Sequence, residues 1–84
     1  MTAKKYPLVK VTWNDAASTQ SWLDPEDFDK PEFYKVNSYG LMIVNDSERV
    51  VVALSRSETT GRIYCVMEIP KGMVVNIEIL RKRE

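Results

Sequence analysis

The stretch Cys65-Val-Met-Glu-Ile-Pro-Lys-Gly-Met-Val-Val-Asn-Ile-Glu-Ile-Leu80 decides the fold class. An apolar run reaches Ile69, meets Pro70-Lys71-Gly72, and is followed at once by a second apolar run. Proline removes a ladder donor and glycine tolerates tight backbone geometry, so the segment predicts two strands joined by a sharp corner.

Working outward, the same reading places three more strands. Leu8-Val-Lys-Val-Thr-Trp13 alternates, with Val9, Val11 and Trp13 on one face and Lys10 and Thr12 on the other. Phe33 to Val44 is a long second strand broken by Gly40, which predicts a bulge or bend. Asn45-Asp46-Ser47 is a turn and Arg49 to Arg56 the third strand. Ser57 to Gly61 is a polar turn, Arg62 to Ile69 the fourth strand and Met73 to Leu80 the fifth. The third strand is apolar on both faces: Val50, Val52 and Leu54 on one, Val51 and Ala53 on the other. Strands with one wet face alternate more cleanly, so this pattern implies extra cover, either by the long loop or by a second copy in a homo-oligomer. Residues 1–6 and 81–84 are expected to be frayed ends of one domain spanning 1–84.

Between the first two strands, Asn14 to Phe33 lacks strand periodicity and sets six carboxylates against Lys30. Within it, Trp22-Leu-Asp-Pro-Glu-Asp-Phe28 predicts one helical turn. Asp24 suits the cap, Pro25 the first helical position, and Glu26 and Asp27 the positive helix end. Five strands with a long acidic loop between strands 1 and 2 and short turns elsewhere match an all-β, small SH3-like β-barrel. Closure would also dispose of exposed sheet edges.

Composition narrows the chemistry. The chain has 84 residues with 12 basic and 12 acidic side chains, so net charge is zero and a dedicated duplex-binding role is disfavoured. It has no histidine, which removes the commonest general base and metal ligand and every Ser/His or Cys/His pair. Cys65 is the single cysteine and reads as a small core residue rather than a reactive thiol. An internal disulfide and a Cys-rich zinc site are impossible, which fits a reducing cytosol. No apolar run is long enough to span a membrane. The acidic loop lacks the glycine and terminal glutamate of an EF-hand, so no metal and no cofactor is expected. A barrel this small has no deep, dry pocket to tune a carboxylate pair, so the chain is read as non-enzymatic.

Two sets of residues are candidates for binding. Trp22, Asp24, Glu26, Asp27 and Phe28 would meet a protein partner through an aromatic anchor and an acidic rim. Arg49, Arg56, Arg62 and Tyr64 would meet a small nucleotide through charge and stacking. Basic residues at the ends, Lys4, Lys5, Arg81, Lys82 and Arg83, keep an RNA- or ssDNA-binding small barrel of Sm-like or OB-like kind as the alternative, beside a structural virion component.

The chain resembles a group of short proteins encoded by tailed bacteriophages and prophages. The matching residues are Val11-Thr-Trp13 with Asp15, the second tryptophan Trp22 ahead of a short acidic turn, Tyr39-Gly-Leu-Met-Ile-Val44, Val50-Val-Val-Ala-Leu-Ser55, and Ile69-Pro-Lys-Gly-Met-Val74 with Ile77 and Leu80. The resemblance covers about residues 8–80. It implies an accessory protein in the host bacterial cytoplasm, one that occupies a host protein or a nucleotide signal of anti-phage defence, and it brings no catalytic residues. The architecture is also similar to that of peptide-binding SH3 domains, which share an acidic first loop and a proline in the last tight turn. Their aromatic opening motif and paired tryptophans are absent here, so proline-peptide binding does not carry over.

Overall fold

The computed structural model describes residues 4–16, 22, 24–27 and 33–83. Five strands form: β1 (Leu8–Ala16), β2 (Phe33–Asn45), β3 (Arg49–Arg56), β4 (Ile63–Pro70) and β5 (Val74–Arg81). A single 3-10 turn, Pro25–Asp27, lies between β1 and β2 where the helical turn was expected. A second, Lys71–Met73, makes the corner between β4 and β5. All four strand pairings are antiparallel, in one sheet of order β4-β3-β2-β1-β5.

That order corrects one expectation. β4 and β5 are the two edges of the sheet and do not pair with each other, so the sheet is not a closed barrel. The turn from Lys71 to Met73 carries the chain from one edge to the other without bringing the strands into register. Closure needs a ladder between the two edge strands, and among the described residues β4 and β5 each keep one unpaired side.

Register explains the interior. Val9, Val11 and Trp13 of β1 stand opposite Gly40, Ser38 and Val36 of β2 on one side and Ile79, Ile77 and Val74 of β5 on the other. Val50 and Val52 of β3 face Ile69 and Met67 of β4. The core is Val9, Val11, Val50, Val52 and Ile69, with Trp13, Met42, Met73, Val74 and Ile77 packed against it. The alternation read in β1 therefore does select its inward face.

Gly40 is required by close approach rather than by an unusual dihedral angle. A Cβ there would collide with the Ala53 carbonyl oxygen and lie 2.7 Å from Val52 Cγ1. The irregularity expected at Gly40 falls slightly later, between Met42 and Val44, where the β2–β3 register shifts. The corner glycine Gly72 has open space around it and no left-handed φ. Pro70, at φ −56° and ψ 134°, sets the direction of that corner, and the Lys71 N–H donates to the Glu48 carbonyl at 2.9 Å. Positive φ is needed instead at Gly61, φ 77°, in the turn before β4.

Candidate functional site

The side chains of β4 divide sharply. Ile69 is fully buried, while Ile63, Tyr64, Val66 and Met67 expose 38%, 73%, 49% and 43% of their surface. Both faces of this half-strand are open, since residues 63 and 67 belong to one face and 64 and 66 to the other. Cys65 corrects the expectation of a core thiol. It is exposed and its φ is +57°, a left-handed conformation uncommon outside glycine, asparagine and aspartate. Its opposite number on β3, Leu54, is also exposed, and the two drop out of a ladder that otherwise runs from Arg49↔Pro70 to Arg56↔Ile63. Nothing among the described residues lies over this end of the sheet.

The result is a groove of about 370 Å³, lined by Ser38, Tyr39, Val52, Leu54, Cys65, Val66 and Met67. Its polar anchor comes from β1 and β2. The half-buried Trp13 donates its indole N–H to Ser38 Oγ at 3.0 Å, and the Ser38 hydroxyl donates to Met67 Sδ at 3.5 Å. Trp13 thereby spans from the core to the groove floor. The lining holds no carboxylate, lysine or arginine. Such a surface can hold an apolar side chain or strand. Among the described residues no three Asp, Glu, Cys or His side chains gather in a set that could hold a metal ion.

At the far end of β3 the turn is built electrostatically. Asp46 Oδ1 accepts from the backbone N–H groups of Glu48 and Arg49, each at 2.9 Å. These bonds, Glu48's first, hold the Asp46 carboxyl below the usual carboxylate range. Arg49 Nη1 donates to Glu68 Oε1 at 2.7 Å, which raises the Arg49 pKa further. Lys71 Nζ donates to Asn45 Oδ1 across the same corner.

The predicted binding residues are placed as follows. Trp22 is fully exposed, and Asp24 and Glu26 are exposed on and beside the 3-10 turn. Asp27 ends that turn, its side chain lies outside the described residues, and so does the whole of Phe28. The arginine set is not brought together. Arg49 and Arg56 begin and end β3, about 23 Å apart at the rise of an extended strand. Arg49 is engaged by Glu68, with Asp46 at 4.0 Å. Arg56 donates to the carbonyls of Gly61 and Lys4 and lies over the Tyr6 ring at 5.2 Å. Arg62 and Tyr64 are exposed at the Arg56 end.

The groove itself was missed by sequence reasoning. A signal for it exists: Ile63-Tyr-Cys-Val-Met67 is five uncharged residues in a strand that ends the sheet order. No protein-family model, curated protein or solved structure matches the chain. No helix among the described residues is long and apolar enough to cross a membrane.

Proposed function

We propose that this chain is a non-enzymatic accessory protein of a bacteriophage that acts by occupying a host protein in the bacterial cytoplasm. The observation that carries the reading is the fully exposed indole of Trp22, set beside the exposed carboxylates of Asp24 and Glu26. Indoles are enriched where proteins meet, because one side chain removes a large apolar area from water at small entropic cost. Flanking carboxylates steer that anchor toward a basic surface and do so faster at low salt. The partner is therefore a host protein with an apolar pocket rimmed by lysine or arginine. Occupation of a defence component by such a contact is the role that the phage resemblance suggests, and the five-stranded antiparallel sheet is read here as an opened relative of the SH3-like barrel.

The nucleotide reading is weaker on geometry, because Arg49 stands a strand length away from Arg56, Arg62 and Tyr64 and is already ion-paired. The test is native mass spectrometry of the tagged full chain recovered from bacterial lysate, beside Trp22→Ala. A host polypeptide held by the wild type and lost from Trp22→Ala is the expected result. Retention of the same polypeptide by Trp22→Ala, or a nucleotide-sized adduct lost from Arg62→Ala, would overturn it.

A further inference from the structure

We propose that β4 is a self-association edge, pairing antiparallel with β4 of a second copy about a two-fold axis at Cys65. The proposal is independent of the host partner and of Trp22. It starts from a liability. β4 has β3 on one side and, among the described residues, no strand on the other, so its outer edge presents backbone N–H and C=O groups. Along that edge runs Ile63-Tyr-Cys-Val-Met67, uncharged, free of proline and glycine, and exposed on both faces. An exposed segment of this kind pairs with any available strand unless something covers it.

The flanking charges select the occupant. Arg62 precedes the apolar run and Glu68 follows it, and both are exposed. Antiparallel pairing about Cys65 sets Arg62 opposite Glu68 of the second copy and, by symmetry, Glu68 opposite Arg62. The same register sets Ile63 against Met67 and Tyr64 against Val66, with Cys65, whose left-handed φ takes it out of the β3 ladder, on the axis. Every apolar residue meets an apolar one and every charge meets its opposite, the arrangement that stabilises cross-strand pairs. Shifting the axis by one residue, to Val66, sets Tyr64 against Glu68 and loses the Arg62–Glu68 match. Glu68 Oε1 already accepts from Arg49, and a carboxylate has room for a second donor.

A two-fold contact uses β4 twice and closes, so it covers this edge without propagating a fibre. Pairing odd residues with odd keeps the same face of both sheets on one side. The two grooves would then join across the axis, with Met67 of each filled by Ile63 of the other. The other edge is less suited. β5 carries Glu78 and Arg81 within the strand and the charged residues Lys82 and Arg83 after it, which discourage pairing.

The full-length chain in reducing buffer is examined by sedimentation equilibrium from about 1 to 200 µM. A monomer–dimer equilibrium is expected. Arg62→Glu should raise the dimer dissociation constant about tenfold or more, since each two-fold contact then holds two like-charge pairs. Adding Glu68→Arg to Arg62→Glu should recover most of the lost affinity, with Glu68→Arg alone as the control for loss of the Arg49 contact. Thermal unfolding of each variant confirms that the fold is retained. Mild oxidation should then join wild-type copies through Cys65, because the two-fold axis brings the two exposed thiols together, and Arg62→Glu should slow that joining. A monomer across the whole range would overturn the proposal. So would a dimer indifferent to Arg62→Glu, a double variant no tighter than the single one, or a larger ring broken by Ile79→Arg on β5.

Discussion

The two ends of β4 lie on one strand and obey different rules. At Ile69 the strand pairs beside Val50 and the side chain joins Val9 and Val11 in the core cluster, and nothing of it reaches water. At Met67 and Ile63, two and six residues earlier on the same face, side chains stay exposed. The difference is not composition, since all three are large and apolar. It is whether a second layer exists. The corner at Lys71–Met73 swings Met73 and Val74 over the closed end, and no described element does the same at the other. Apolar character thus records what a residue needs, while topology decides whether this chain supplies it.

Truncation along that face breaks or sharpens the contrast most directly. Ile69→Ala removes a fully buried side chain and should cost about 2–5 kcal/mol, read as a lower urea midpoint at unchanged slope. Met67→Ala, on the same face, should cost less than about 1 kcal/mol in the monomer. Equal losses at both sites would mean that the open end is covered in solution.

Gly40→Ala comes next. The added Cβ would meet the Ala53 carbonyl oxygen, a backbone atom that cannot swing aside. The β2–β3 ladder must give way, and overpacking of this kind costs about 1–3 kcal/mol. Gly72→Ala, with open space around it, is the matched control and should change stability by less than about 0.5 kcal/mol.

This glycine pair also shows how far the fold was legible. The strand number, their succession along the chain and the start and end of β3 follow from alternation and turn residues, because those signals are local. The helical turn at Pro25–Asp27 follows for the same reason. What Gly40 does depends on Val52 and Ala53, neighbours far away in sequence, so its need for glycine stays hidden until β3 is laid against β2. Closure failed likewise, since whether β4 meets β5 is a long-range fact. Cys65 was misread because alternation assigns a face and cannot say whether the face is covered. Of the candidate site, the acidic turn at Pro25–Asp27 was legible but the exposure of Trp22 was not, because an indole beside a turn can either pin the loop or stand free. The groove needed Ser38, Leu54 and Met67 to be brought together from three strands.

Trp13 links the two ends and gives a smaller effect. Trp13→Phe keeps most of the apolar bulk but removes the indole donor to Ser38 Oγ. A net loss of about 1 kcal/mol is expected for a half-buried neutral bond. Ser38→Ala should lose a similar amount, and the double variant less than the sum, because both changes delete one interaction. Strict additivity in the double-mutant cycle would show that the bond contributes nothing and that Trp13 acts through its ring alone.

The smallest effect belongs to the closed end and turns on pH. Asp46 caps the β2–β3 turn by accepting two backbone N–H bonds, and these lower its folded pKa beneath the ordinary 3.8. A carboxyl whose folded pKa is depressed binds its proton more weakly in the folded chain than in the unfolded one. Its contribution is therefore fully present above the unfolded value and is lost as pH falls through the folded one. Asp46→Ala should be less stable than wild type at pH 7, and the gap should narrow as pH drops below about 4. Asp46→Asn retains an acceptor for the Glu48 and Arg49 amides but carries no charge, so its stability should track the wild type's acid limb without the added rise above pH 4. Urea midpoints for the three proteins at pH 7, 5 and 3 test this. A constant gap between wild type and Asp46→Ala across that range would mean that the turn is held by its backbone geometry, and that ionisation of Asp46 contributes nothing to closing this end of the sheet.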